Sequence, residues 1–137
     1  MKANWRTAWQ GQDIVVYRDE VVFDRLHAPD ITRVIFLHRG RGDTPGELTM
    51  AIVELGDECL IFPDHTGFAG RVNFERQAFW SERACVFWVG EQRATLPMRL
   101  RRGRWLLRLS GPEFMRVPRA ELAPLMDAWP LQGPQTW

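Results

Sequence analysis

Short β-branched and aromatic runs alternate with turn residues along the first sixty positions. Asp13-Ile14-Val15-Val16-Tyr17 and Val21-Val22-Phe23 stand on either side of Arg18-Asp19-Glu20, which predicts two strands joined by a tight turn. After His27-Ala28-Pro29-Asp30, the segment Ile31 to His38 is long and nearly all β-forming, and it is predicted as a central strand. The apolar runs Leu48 to Leu55 and Glu58 to Phe62 are separated by Gly56-Asp57, the spacing of a hairpin. The first half therefore reads as an antiparallel meander.

Pro63-Asp64-His65-Thr66-Gly67 breaks this pattern, and residues 68–84 favour a helix with Asp64, Thr66 and Asn73 as candidate N-caps. Phe68, Val72 and Phe79 share one face of it, with Trp80 at the edge and Phe74 on the far side. Strand character returns at Cys85 to Val89, Thr95 to Arg101 and Trp105 to Ser110, with Arg102-Gly103 as the turn of a second hairpin, and again at Phe114 to Val117. Leu122, Leu125, Met126 and Trp129 mark one face of a short C-terminal helix, in which Pro124 belongs to the first turn or makes a kink. Residues 133–137 are expected to fray.

These elements predict an α+β fold over a single domain, residues 1–137: a curved, mostly antiparallel sheet with one mid-chain helix and one short C-terminal helix on one side. A partial barrel closed by a terminal helix, as in pleckstrin-homology-like modules, is compatible with that architecture, although no motif carries the resemblance. A chain of 137 residues is long enough for one sizeable core. Its 45% apolar, 26% charged and 12% aromatic composition excludes a disordered, collagen-like or disulfide-scaffold chain. No apolar run approaches the roughly 18 residues of a membrane span. The start Met1 to Arg6 lacks the apolar core of a secretory signal, so a cytoplasmic location is expected.

Seventeen of the 18 basic residues are arginines, a skew that a GC-rich bacterial genome would supply. Residues 1–68 carry 7 basic and 11 acidic side chains, net −4, and residues 69–137 carry 11 and 6, net +5, a dipole along the sequence that can steer a charged partner. Cys59 and Cys85 sit in apolar contexts outside any CxxC pair and read as small buried hydrophobes. The histidines His27, His38 and His65 have no metal-site spacing, so neither a metal nor a cofactor is expected.

Among groups that carry chemistry, Asp64 and His65 beside a glycine-bearing loop are the best acid/base pair, because loop amides bind an anion while an imidazole moves a proton. No GxSxG or other nucleophile motif accompanies them, and no catalytic residue is assigned. The strongest local feature is Arg99 to Arg108, in which Arg99, Arg101, Arg102 and Arg104 surround a turn with Trp105 at its edge. Such a surface suits nucleic acid, phosphate or an acidic protein. Seven tryptophans, among them Trp5, Trp9, Trp80 and Trp137, exceed the needs of one small core, and tryptophan with arginine is enriched at protein-binding hot spots. The expectation is a non-enzymatic module that binds a protein partner through Trp80, Arg99, Arg101, Arg102, Arg104 and Trp105, with an immunity protein that neutralises a toxin as one form. Anion or nucleic-acid binding by the arginine hairpin and a small enzyme centred on Asp64 and His65 are the alternatives. Oligomeric state is not legible.

Overall fold

The computed structural model describes residues 4–38, 48–63, 86–90, 93–94 and 114–132. Two-residue turns organise its first half. Strands β1 (Trp5–Gln10), β2 (Asp13–Arg18) and β3 (Val21–His27) form an antiparallel three-stranded sheet in that order. The β1–β2 turn has Gly11 at φ 62° and the later turn at Gly56-Asp57 has Gly56 at φ 61°, a left-handed backbone that glycine adopts without a Cβ clash. A 3-10 turn at Ala28–Asp30 leads into β4 (Ile31–His38). Strands β5 (Leu48–Leu55) and β6 (Glu58–Pro63) continue the meander, β7 (Val86–Gly90) lies parallel to β4, and β8 (Met115–Pro118) is antiparallel to β6. The second sheet thus has the order β7-β4-β5-β6-β8, and helix α1 (Arg119–Met126) follows it.

Alternation along the five-stranded sheet divides its apolar residues between two cores. Val34, Phe36, Ala51, Val53, Leu60, Phe62, Val86 and Trp88 face the three-stranded sheet, where Trp5, Ile14, Val16 and Leu26 meet them. Ile35, Leu37, Met50, Ile52, Cys59, Ile61 and Val89 face the other way, toward Leu122, Met126 and Trp129. The result is three layers: sheet, sheet, helix. Burial on both faces explains why β4 reads as a continuous apolar run rather than an alternating one. Leu122 is fully buried, which stabilises the helix's docking by roughly 1.5–3 kcal/mol. Burial also pushes the Cys59 thiol up to about 11, with the Glu54 carboxylate adding to the rise.

The expected mostly antiparallel α+β architecture, its meander and the C-terminal helix are present, with one difference in how the strands are grouped. One curved sheet was predicted, whereas the first three strands peel away to stack as a separate sheet, and no closed barrel forms among the described residues. The β4–β7 pair is parallel, so the sheet is mixed. Of the two places expected for Pro124, the first turn is not the one taken: it lies further inside α1, removing one ladder donor just before the helix ends at Met126. The mid-chain helix expected over 68–84, the hairpin over 95–110 and the tail 133–137 lie outside the described residues. No helix among the described residues is long and apolar enough to cross a membrane.

A charged cluster pins α1 to the sheet. Glu54 ends the helix-facing row of β5, and its buried carboxylate accepts from Arg33 Nη2 at 2.6 Å and from Thr32 Oγ1 at 3.3 Å. Arg33 also reaches Asp127 just beyond the helix, at 3.2 Å, and Arg119 Nε stands 3.6 Å from Glu54.

Candidate interaction surface

The three-stranded sheet turns its apolar side inward, so the opposite face must be covered by its own polar side chains. Register places Arg6 opposite Tyr17, Ala8 opposite Val15 and Gln10 opposite Asp13 between β1 and β2. Between β2 and β3 it sets Tyr17 opposite Val22, Val15 opposite Arg25 and Asp13 opposite His27. Cross-strand neighbours on one face interact, and here they form an unbroken chain of contacts. Glu20 accepts from Arg6 Nε at 3.0 Å and Nη2 at 3.0 Å, and the Arg6 guanidinium lies 3.9 Å from the Tyr17 ring centroid. The Tyr17 hydroxyl accepts from Gln10 Nε2 at 3.0 Å, and Gln10 Oε1 accepts from Arg25 at 3.0 Å. Arg25 also donates to Asp13 at 3.1 Å, and Asp13 Oδ1 accepts from His27 Nδ1 at 2.8 Å. Val15 is fully buried beneath this layer.

Electrostatics follow from these contacts. The His27 and Arg25 donors hold the Asp13 carboxyl below its ordinary range, and the Arg6 fork does the same for Glu20. The His27 side chain of the Asp13–His27 couple is half exposed, and the outward positions of these strands carry no serine, threonine or cysteine for it to activate. No group of three or more metal-binding side chains occurs among the described residues. Chemically, the face offers fixed hydrogen-bond donors, a cation stacked on an aromatic ring, and little else.

At one edge of this face the surface turns apolar. Val21, Val22 and Phe23 are 69%, 53% and 51% exposed, the exposed large hydrophobic residues of the described chain. Three successive exposed residues require a break in strand alternation, and a β-bulge supplies it: Val16 pairs with Asp24 and Tyr17 with Val22, so Phe23 is the extra residue. Val22 lies with Tyr17 on the outer face, while Phe23 makes edge-to-face contacts with Trp5 at 5.0 Å and Phe114 at 5.7 Å. The preceding turn holds Asp19 and Glu20 at φ 51° and 67°, the I′ geometry that normally selects asparagine and glycine. The strain is offset by ties to the first strand's end: Asp19 N–H donates to Asn4 O at 2.8 Å, Asn4 N–H donates back to Asp19 Oδ1 at 2.9 Å, and Arg6 clamps Glu20. Beyond Phe23, Arg116 of β8 donates twice to Asp24, at 2.7 and 2.8 Å, and once to Glu58 at 3.0 Å, joining the two sheets.

The site residues expected from sequence, Trp80, Arg99, Arg101, Arg102, Arg104, Trp105, Asp64 and His65, all lie outside the described residues. Of the other histidines, His27 joins the outer network and His38 is buried at the end of β4. The polar chain from Glu20 to His27 was not picked out by motif, because it is assembled from single residues on three strands and the turn between two of them, and the run Val21-Val22-Phe23 was read only as a strand, because its exposure depends on the bulge. Comparison with family models, with curated proteins and with solved structures gives no match.

Proposed function

We propose that this chain is a non-enzymatic protein-binding module that docks its partner on the outer face and β3 edge of the three-stranded sheet. The observation that carries this reading is the exposed triplet Val21-Val22-Phe23 set beside side chains already locked by one another. Exposed apolar residues with a polar rim characterise binding patches, and tyrosine and arginine are enriched at their energetic centres. Holding Arg6, Tyr17, Gln10 and Arg25 in place before contact reduces the side-chain entropy lost on association. An inhibitor that occludes a toxin in the bacterial cytoplasm is one form such a module takes.

Val22→Glu tests the reading, since Val22 is 53% exposed at the centre of the triplet and lies outside the buried core. Cross-linked capture from the host lysate is compared for the wild-type chain and this variant, with melting temperature as the folding control. The expected result is a protein retained by the wild-type chain and lost by a variant of unchanged stability. Equal capture by the two, or none by either, would refute it.

A further inference from the structure

The chemistry of the partner follows from the backbone and the charges around the triplet, on the premise that the protein-binding reading holds. In the order of its sheet β3 is an edge strand, pairing among the described residues with β2 alone. An edge presents main-chain donors and acceptors to any extended chain. The bulge at Phe23 sets Val22 on the outer face and Phe23 against Trp5, so a strand laid along this edge meets apolar surface on both of its sides.

Both ends of the triplet carry negative charge that the protein does not fully neutralise. On the turn side, Glu20 is clamped by Arg6, whereas the Asp19 carboxylate takes only the amide N–H of Asn4. On the far side, Asp24 and Glu58 share the single guanidinium of Arg116. Arg18, a further cation among the described residues, lies over the Trp5 ring, 5.5 Å from its centroid. Among the described residues around the triplet, the carboxylates of Asp19, Glu20, Asp24 and Glu58 thus stand against the guanidiniums of Arg6, Arg18 and Arg116, while Arg25, next along β3, is paired with Asp13. A second copy of the chain is a poor occupant. Symmetric antiparallel pairing centred on Val22 sets Glu20 opposite Asp24 of the other copy, and centring on Phe23 sets Val22 opposite Asp24, so either register meets repulsion or buries charge.

We propose that β3 accepts an extended segment of a partner protein as a fourth strand, a segment with apolar residues at its centre and lysine or arginine on both flanks. Main-chain pairing supplies the docking mode, the triplet receives the apolar centre, and Asp19, Asp24 and Glu58 select the basic flanks.

Three fluorescein-labelled nine-residue peptides test this on the full chain by fluorescence anisotropy: lysine and arginine flanks around an alternating valine-threonine centre, the same centre with glutamate flanks, and the basic peptide with a central proline. The basic peptide is expected to bind, about tenfold or more tighter than the glutamate peptide, with the preference shrinking as salt is raised. The proline peptide should lose binding, because proline cannot donate to a ladder. Val22→Asp should lose it too, with an unchanged melting temperature, and Asp19→Asn should weaken it severalfold, with a melting temperature no lower than the wild type's, since asparagine suits the left-handed turn. Equal affinity for basic and acidic flanks, tolerance of proline, indifference to Val22→Asp, or no binding of the basic peptide would each overturn the proposal. So would sedimentation showing a dimer that Val22→Asp dissociates. A protein captured by the wild-type chain and lost with Val22→Glu, alongside failure of the peptides, would leave the protein-binding reading standing and sink strand addition alone.

Discussion

Removing the Glu54 charge by Glu54→Gln tests how the helix is held to the sheet. The Glu54 side chain is 8% exposed and its partner Arg33 18%, so their attraction operates largely out of water. Deleting one member of such a pair leaves the other buried without compensation, at a cost of about 3–5 kcal/mol. Arg33 keeps its contact with Asp127, whose side chain is 64% exposed, and glutamine can still accept from Thr32, which lowers the cost to roughly 2–3 kcal/mol. With an unfolding entropy near 2.1 cal/mol/K per residue, a chain of 137 residues should lose about 3.5 °C of melting temperature per kcal/mol. Glu54→Gln should therefore melt about 7–10 °C lower.

Two companions separate this account from a general sensitivity of the region. Asp127→Asn removes an exposed partner and should cost below about 1 kcal/mol. Arg33→Met with Glu54→Leu removes both charges and fills the space with apolar atoms, and it should lie within about 1 kcal/mol of the wild type. Urea is the right denaturant, because guanidinium chloride would screen the pair under study. A Glu54→Gln variant no less stable than Asp127→Asn, or a double variant less stable than Glu54→Gln, would refute the reasoning.

Two further expectations concern the three-stranded sheet. Glu20→Gly relieves a left-handed non-glycine residue worth about 1–2 kcal/mol while losing only a solvent-screened surface ion pair, so its urea midpoint should match or exceed the wild type; Glu20→Val, β-branched at the same φ, should be clearly destabilised, and the reverse order would contradict the turn strain. Because Asp13 is held below its ordinary value, the stability it contributes is complete above about pH 4 and is lost as pH falls through the depressed folded value, so the urea-midpoint gap between wild type and Asp13→Asn should narrow on acidification from there; a gap constant down to pH 2 would show that the His27 and Arg25 contacts do not favour the charged carboxylate.

Much of the fold was legible because hydrophobic alternation and turn chemistry act locally. The hairpin at Gly56-Asp57, the central position of β4 and the helix carrying Leu122 and Met126 all followed from residues within one or two elements. Strand β1 went unassigned because Trp5 and Trp9, four apart, fit a helix turn as well as one face of a strand, and only the inward set Trp5, Thr7 and Trp9 against the outward set Arg6, Ala8 and Gln10 tells them apart. The surface network is subtler. Two-residue turns fix the first pairs, such as Gln10 with Asp13 and Arg18 with Val21, but continuing that count along β3 would set Leu26 against Asp13. The extra Phe23 shifts the register by one, returning Leu26 to Ile14 in the core and bringing His27 to Asp13. The run Val21-Val22-Phe23 breaks alternation and carries the signal for that bulge, yet it reads at first only as a short strong strand.

The same geometry explains why the proposed interaction surface falls on the smaller sheet. Both faces of the five-stranded sheet are consumed, one by the three-stranded sheet and one by α1. Its β7 edge is closed where Trp88 and Gln132 exchange main-chain hydrogen bonds at 3.0 and 2.8 Å, and its β8 edge runs directly into the helix. The three-stranded sheet, in contrast, spends only one face on the core. Its outer face is sealed by the Glu20-to-His27 network well enough to bury Val15 completely, so exposed apolar surface is not a general failing of this sheet but is concentrated at the bulged end of β3. Natural edges are usually blunted by charge, and here the charges stand beside the apolar triplet and leave its tip uncovered, with the strained Asp19-Glu20 turn anchored to Asn4 and Arg6 to hold it in place. An edge built only to avoid association would place those carboxylates across Val21-Val22-Phe23; in the proposed docking mode, flanking the triplet instead would reject partners of the wrong charge while keeping the apolar strand open to the right one.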